Sequence, residues 1–344
     1  MNFSNIIKSN CENHCSVNWW PKFAFHYTDV TNAVNILSSE YLYSRYDATQ
    51  HKMMCNDNAS RQVIDMTNPD IVSMVRFYFR PLTPTQYYNE GYKHPSIRYD
   101  SDENANTPVP IFFLFDLEAL LKLEGVSFSE TSQAGHGSAL FSGVDAFSKL
   151  NFDAIYSQGY ENFEANKPYR QAEIVHAGSL PIESCLNTIL CRNNVESTTL
   201  LNLLKETNQL AYAKYRDRIK VYRHDTFENN GLYITECLYH QNKISISFSD
   251  TLDQKRYTEK MKKQFETSTL KHIKAKFELC WFNSRSIISK SELSALVDYE
   301  HPIPLSITKL PNVAQAKSIG IKVFFEERLM SYTIQSLEDS EVLK

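Results

Sequence analysis

KPYRQAEIVHAG, residues 167–178, is the stretch on which the reading of this chain turns. A basic, aromatic segment passes through Gln171, Ala172 and Glu173 and runs straight into the apolar pair Ile174 and Val175. A carboxylate at the mouth of a strand is either a solvated edge residue or a placed chemical group. The segments around it have to decide between the two.

The totals allow a folded enzyme-sized protein. The chain has 344 residues, 42% hydrophobic and 22% charged, enough for one large domain or two ordinary ones. Its longest apolar run, Ile111 to Phe115, is far too short to span a bilayer, and the N-terminus MNFSNIIKSN has no apolar signal core. A cytoplasmic protein with no membrane partner is expected. The net charge of −4 excludes a bulk phosphate binder, so any nucleic-acid contact has to be local. Residues 1–200 carry 14 Lys/Arg against 22 Asp/Glu, a net of −8, and the remainder carries +4. Seven scattered cysteines argue against a disulfide framework. CENHC, with Cys11, His14 and Cys15, has no second cluster at a zinc spacing, so free thiols and no metal are expected. There is no G-x-x-x-x-G-K-[ST], no G-x-G-x-x-G, no H-E-x-x-H and no G-x-S-x-G. Nucleotide chemistry would need another scaffold.

Alternation and capping signals give an α+β chain. KFAFHYTD predicts a strand, and Asp29 or Thr31 can cap the helix that follows, with Val34, Ile36 and Leu37 on its apolar face. VRFYFRP and TPVPIFFLFD predict further strands, QAEIVHAG another, PIESCLNTIL a helix or turn, and STTLLNLLKETNQLAYAKY an amphipathic helix. After about residue 218 the chain turns into short alternating β-rich runs: GLYITECLYH, KISISFS, HIKAKFELCWF, IPLSITKL and IKVFFEERLMSYTIQSL. The expected division is 1–218, followed by 219–344 as a mainly antiparallel, β-sandwich-like unit.

Three segments belong together in order: FHYTDVTNAVNIL, VRFYFRPLTPTQYYNEG and RQAEIV. They supply a histidine on a strand before a helix, a Tyr-Phe strand end nine residues ahead of Tyr87, and a glutamate on a late strand. This order resembles the ADP-ribosyltransferase superfamily, and more narrowly the DarT family of toxins that attach ADP-ribose to a base in single-stranded DNA. The resemblance covers roughly residues 20–185. It implies two small packed sheets around an NAD cleft, with NAD as co-substrate. It also implies that His26, Thr28, Asn32, Tyr78 and Tyr87 bind NAD, and that Glu173 is catalytic together with an arginine before the Tyr-Phe strand, for which Arg61 is chosen and Arg45 held in reserve. Where the family usually has a glycine before a leucine, this chain has SSEYL, with Tyr41 preceding Leu42.

The chemistry suits those residues. Breaking the glycosidic bond of NAD builds positive charge on ribose, which a carboxylate stabilises, and a carboxylate can also take the proton of a weak nucleophile. The loop before Glu173 lies where the superfamily places its target-recognition turn. Tyr160, Phe163 and Tyr169 can stack an unpaired base, and Lys167 and Arg170 can meet phosphates. Gln171, two residues before Glu173, would face the same side of a strand and touch the acceptor base. The expected function is transfer of ADP-ribose to single-stranded DNA or RNA in a toxin–antitoxin or phage-defence setting, with a cognate antitoxin as partner. The alternatives are a protein-directed mono-ADP-ribosyltransferase and a non-catalytic module with a degenerate cleft.

Overall fold

The computed structural model describes residues 2–55, 57, 64–98, 106–134, 138–159, 162–250, 255–259, 272–284 and 286–337. The N-terminal part is built on β1 (Phe23–Asp29), β2 (Tyr41–Leu42), β3 (Met74–Tyr78), β4 (Pro110–Asp116), β5 (Val126–Ser129), β6 (Glu173–Ala177), β7 (Leu180–Pro181), β8 (Leu186–Cys191) and β9 (Ile219–Lys220). Seven of them form one sheet in the order β5-β6-β3-β1-β4-β8-β9, and β2 and β7 make a small separate pair. The sheet nearly divides in two. Strands β1 and β3 share a single partnered position, Phe25 opposite Tyr78, whereas β1 and β4 are paired along their whole length. The expected two small sheets are therefore two halves of one sheet, splayed where β1 leaves β3.

Local sequence explains the parts that shape the opening. The run Ile111 to Phe115 is buried on both faces, and both backbone edges of β4 are paired, with β1 and with β8. At the end of β1 the Asp29 carboxylate accepts from the Thr31 backbone N–H at 3.0 Å and caps the helix Val30–Ser39. That helix ends at Glu40, a non-glycine residue in the left-handed region with φ 63. Its carboxylate accepts from Lys214 at 2.7 Å.

The second part holds β10 (Ile234–His240), β11 (Lys243–Phe248), β12 (His272–Phe282), β13 (Ile287–Asp298), β14 (Leu305–Ile307), β15 (Ser318–Phe325) and β16 (Arg328–Ser336). These make two antiparallel sheets, β10-β11-β14 and β13-β12-β15-β16, whose inward residues share one core. Ile234, Ile244 and Ile246 of the first meet Phe277, Leu279, Ile321 and Val323 of the second.

The two parts are fastened together. Ile219 and Phe227 pack in the N-terminal core, while Tyr92 and Val195 pack in the C-terminal one. The helix Asn194–Thr207 lies against β16, where Thr199 Oγ1 accepts from the Tyr332 N–H at 2.9 Å. At the junction Glu90 is fully buried. Its carboxylate accepts from Gln86 Nε2 at 2.6 Å, from the Glu228 N–H at 3.0 Å and from the Asn229 N–H at 2.8 Å. Close backbone approach there demands glycine: a Cβ on Gly231 would stand 2.5 Å from the Glu90 carbonyl oxygen.

Three expectations change. PIESCLNTIL is a 3-10 turn, Ile182–Ser184, followed by β8, so its second half is strand rather than helix. The long amphipathic helix is interrupted at Asn208, whose side chain caps a second helix, Gln209–Tyr215. In the region of QAEIVHAG the strand begins only at Glu173.

Candidate active site

Glu173 is the first residue of β6 because the chain before it is wound into the 3-10 turn Tyr169–Gln171. Its backbone is paired on both sides, with Tyr78 of β3 and Ser129 of β5. Its side chain is fully buried and its carboxylate accepts four hydrogen bonds. Arg76 Nε reaches Oε2 at 2.6 Å and Arg76 Nη2 reaches Oε1 at 2.8 Å, a bidentate pair. Ser132 Oγ and the Gln133 backbone N–H reach Oε1 at 3.1 and 3.0 Å. Gln133 is held in turn through its amide on the Ser138 carbonyl at 2.8 Å. A buried charge needs partners of this kind. Burial alone would lower the Arg76 pKa, but the Glu173 carboxylate outweighs it and keeps the guanidinium charged.

Arg76 also closes one end of a cleft. The opening between the sheet halves is lined by His26, Thr28, Asn32, Arg45, Met54 and Arg76, among others. The His26 ring accepts its orientation from β3: Nδ1 stands 3.1 Å from the Arg76 carbonyl oxygen. A carbonyl only accepts, so Nδ1 carries the proton and Nε2 is left as an acceptor. Burial lowers the His26 pKa to about 4, against the smaller pull of that hydrogen bond, and the ring is neutral at physiological pH. Asn32 accepts from the Cys55 N–H at 2.8 Å, and Asn35 donates to the Met53 carbonyl at 2.7 Å. These two helix residues pin the segment 53–55 along the cleft wall. Arg45 is ion-paired with Asp57 at the same opening.

A second pocket lies beyond the end of β3. It is lined by Tyr87, Tyr88, Phe163, Lys167, Arg170 and Glu228, with Thr83 at its edge. Thr83 caps the helix Pro84–Asn89, which carries both tyrosines; its hydroxyl accepts from the Gln86 N–H at 3.2 Å. Arg170 is buried. It donates to Ser157 Oγ at 3.1 Å and to the Gly159 carbonyl at 2.7 Å, and its guanidinium covers the Phe163 ring at 4.9 Å. Tyr78 ends β3 and lines neither pocket. Burial and the Glu173 charge raise its pKa, while Arg76, the Thr85 hydroxyl and Arg45 act the other way.

The structure thus brings His26, Thr28 and Asn32 to one cleft with Arg76, and gathers Tyr87, Phe163, Lys167 and Arg170 in the other pocket. Tyr169 packs against the N-terminal core. Gln171 ends the 3-10 turn, so strand alternation does not aim it at the Glu173 face. Arg61 and Tyr160 lie outside the described residues. The residues that reading the sequence missed are Arg76, Ser132, Gln133 and Glu228. Arg76 alone had a signal, because it alternates with Tyr78 on β3 and so shares its face. Among the described residues no group of His, Cys, Asp or Glu could hold a metal ion, and Cys11 and Cys15 are free thiols.

Comparison with known proteins follows this geometry. A family model described as "ssDNA thymidine ADP-ribosyltransferase, DarT" matches residues 25–223. Among solved structures, Thermus sp. 2.9 DarT in complex with NAD+ is 16% identical, covering 60% of this chain and 98% of its own, with a TM-score of 0.46. The same protein in complex with ADP-ribosylated ssDNA is 17% identical, covering 60% and 96%, with a TM-score of 0.49. Thermosipho africanus DarTG in complex with ADP-ribose is 11% identical, covering 64% and 54%, with a TM-score of 0.46. No curated protein matches.

Proposed function

Because this chain belongs to the DarT family of single-stranded-DNA thymidine ADP-ribosyltransferases, we propose that it moves ADP-ribose from NAD onto a thymine base of single-stranded DNA and releases nicotinamide. By that membership it is an NAD-dependent ADP-ribosyltransferase. The observation that carries the reading at residue level is the fully buried Glu173 carboxylate, gripped by Arg76, Ser132 and Gln133. Such a group is fixed in place by its donors, and a placed carboxylate is what stabilising a cation requires.

The donor set of the cleft suits NAD. The free His26 Nε2 can accept from a ribose hydroxyl, the Thr28 hydroxyl and Asn32 amide line the same wall, and Arg45 and Arg76 supply charge for phosphate oxygens. NAD supplies a cationic leaving group at ribose C1′, neutralised as it departs. The C1′–nitrogen bond breaks with its electron pair going to nicotinamide, and a bond from a thymine nitrogen to C1′ forms. Glu173 stabilises the positive charge on the ribose and receives the proton that the nitrogen loses. Lys167 and Arg170 support the strand, and the aromatic Tyr87 and Phe163 its bases. The division of the chain at about residue 218 belongs to this reading, as does the role of Arg61.

Labelled NAD, offered with pools of single-stranded DNA, RNA and cell protein, tests the reading. Label in DNA that vanishes with Glu173→Gln supports it; label in RNA or protein alone replaces the acceptor. A base modifier must be restrained in its own cell, so the chain is further proposed to be a toxin with a cognate antitoxin. Growth arrest on expression of the unmutated chain, absent with Glu173→Gln, is the expected result.

A further inference from the structure

Glu228 lies beyond the stretch that the family model matches, yet it lines the second pocket together with Tyr87, Tyr88, Phe163, Lys167 and Arg170. Its backbone N–H is used on Glu90. Its carboxyl takes part in no hydrogen bond with the described residues, although the site is half-buried. Burial, with Glu90 adding to it, raises that carboxyl to about 7, against the pull of Arg80 and Lys93. A half-buried carboxyl that makes no protein hydrogen bond, beside aromatic rings and cations, is open to a donor brought by a ligand.

Glu173, Arg76 and His26 do not line this pocket, so it is distinct from the cleft of His26 and Arg76. It is nonetheless close by along the chain: Arg170 precedes Glu173 by three residues, and Thr85, on the helix of Tyr87, hydrogen-bonds Tyr78 beside Glu173.

We propose that this second pocket is a context subsite that takes a neighbouring unpaired base bearing an exocyclic amino group, with the Glu228 carboxylate accepting the amino hydrogens. The inference rests on the reading of the chain as an enzyme of single-stranded DNA. Cytosine, adenine and guanine offer an amino donor, whereas thymine offers one imino N–H between two carbonyl oxygens that repel a carboxylate. Tyr87 and Phe163 stack the base, and Lys167 meets the phosphate.

The test is fluorescence anisotropy with the full-length Glu173→Gln chain at pH 8, so that no transfer occurs. The probes are an all-thymidine octamer and octamers with one thymidine next to the central one replaced by dC, dA or dG. An amino-bearing neighbour is expected to bind about tenfold more tightly than thymidine. Adding Glu228→Gln, whose amide both donates and accepts, should bring that ratio to within twofold while the all-thymidine octamer binds no more weakly. Equal affinity for all octamers in the parent, no binding of any, or a ratio unchanged by Glu228→Gln overturns the inference. Discriminating binding by a chain that, with Glu173 intact, transfers no ADP-ribose would instead sink the proposed activity and leave the subsite standing.

Discussion

Replacing Arg76 with methionine removes both halves of the bidentate pair and leaves a fully buried Glu173 carboxylate with Ser132 and Gln133 as its remaining donors. Breaking a buried ion pair from one side costs about 3–5 kcal/mol, because the other charge stays behind without compensation. The Arg76 side chain is 28% exposed, which admits some water, so the lower end applies: about 3 kcal/mol, or roughly 10²-fold in the folding equilibrium. The assay is guanidinium denaturation of four chains: unmutated, Arg76→Met, Glu173→Gln and the double variant. If the cost is the stranded charge, neutralising Glu173 recovers much of it, and the cycle gives a coupling of about 2 kcal/mol. An Arg76→Met chain within about 0.5 kcal/mol of the unmutated one would refute the reasoning.

Other expectations can be checked alongside. Glu173→Gln should lower both nicotinamide release and transfer by at least about 10²-fold in a steady-state assay. His26 has a pKa of about 4 against an ordinary 6.5, so the unfolded chain takes the proton first. Stability should be flat in this respect above pH 6.5 and fall towards pH 4 by roughly 3 kcal/mol, with the slope of denaturation free energy against pH flattened in His26→Asn. Glu40→Gly relieves a left-handed non-glycine residue but loses the half-exposed Lys214 contact, so a gain of about 1 kcal/mol in urea denaturation is expected. A chain ended at residue 218 loses β9, the Phe227 contact and two of the N–H donors on buried Glu90; it should be recovered insoluble or with its thermal transition lost.

Elements that bury one face were legible. β1, β3, β12 and β15 alternate or run apolar because one side packs in a core, and Asp29 announced the helix after β1 by its capping chemistry. β13 left no such trace. It pairs only with β12 at the sheet edge, and its residues up to Leu296 are exposed or half-exposed, so IISKSELSAL carries no burial to read. β8 was hidden for the opposite reason: NTIL ends in buried residues without alternation, and such a short run looks alike as helix or strand. In the site, Glu173 was found from its position before an apolar strand. Ser132 and Gln133, forty-odd residues earlier, reach its carboxylate only because β5 pairs with β6 and delivers the turn that follows. No spacing in the sequence encodes a contact made through strand pairing.

The C-terminal part is more than an appendage to this site. A helix that carries Tyr87 ends against Glu90, and Glu90 is satisfied by the backbone of Glu228 and Asn229 at the start of that part. The same turn presents the Glu228 carboxyl to the pocket that Tyr87 lines. One buried carboxylate therefore fixes the register between a stacking residue contributed by the N-terminal fold and an acceptor contributed from beyond it. Loss of Glu90 would leave the Glu228 and Asn229 backbone N–H groups without their acceptor and remove one of the two carboxylates that Arg192 meets at a buried junction, at about 1–3 kcal/mol for each unsatisfied group, while Gln86 Nε2 keeps the Thr226 carbonyl. That cost would fall first on the second pocket, while Glu173 keeps all four of its own donors from β3 and the turn after β5. The geometry thus separates the residues that hold the reacting carboxylate from those that shape the neighbouring pocket, and only the latter depend on the chain beyond residue 223.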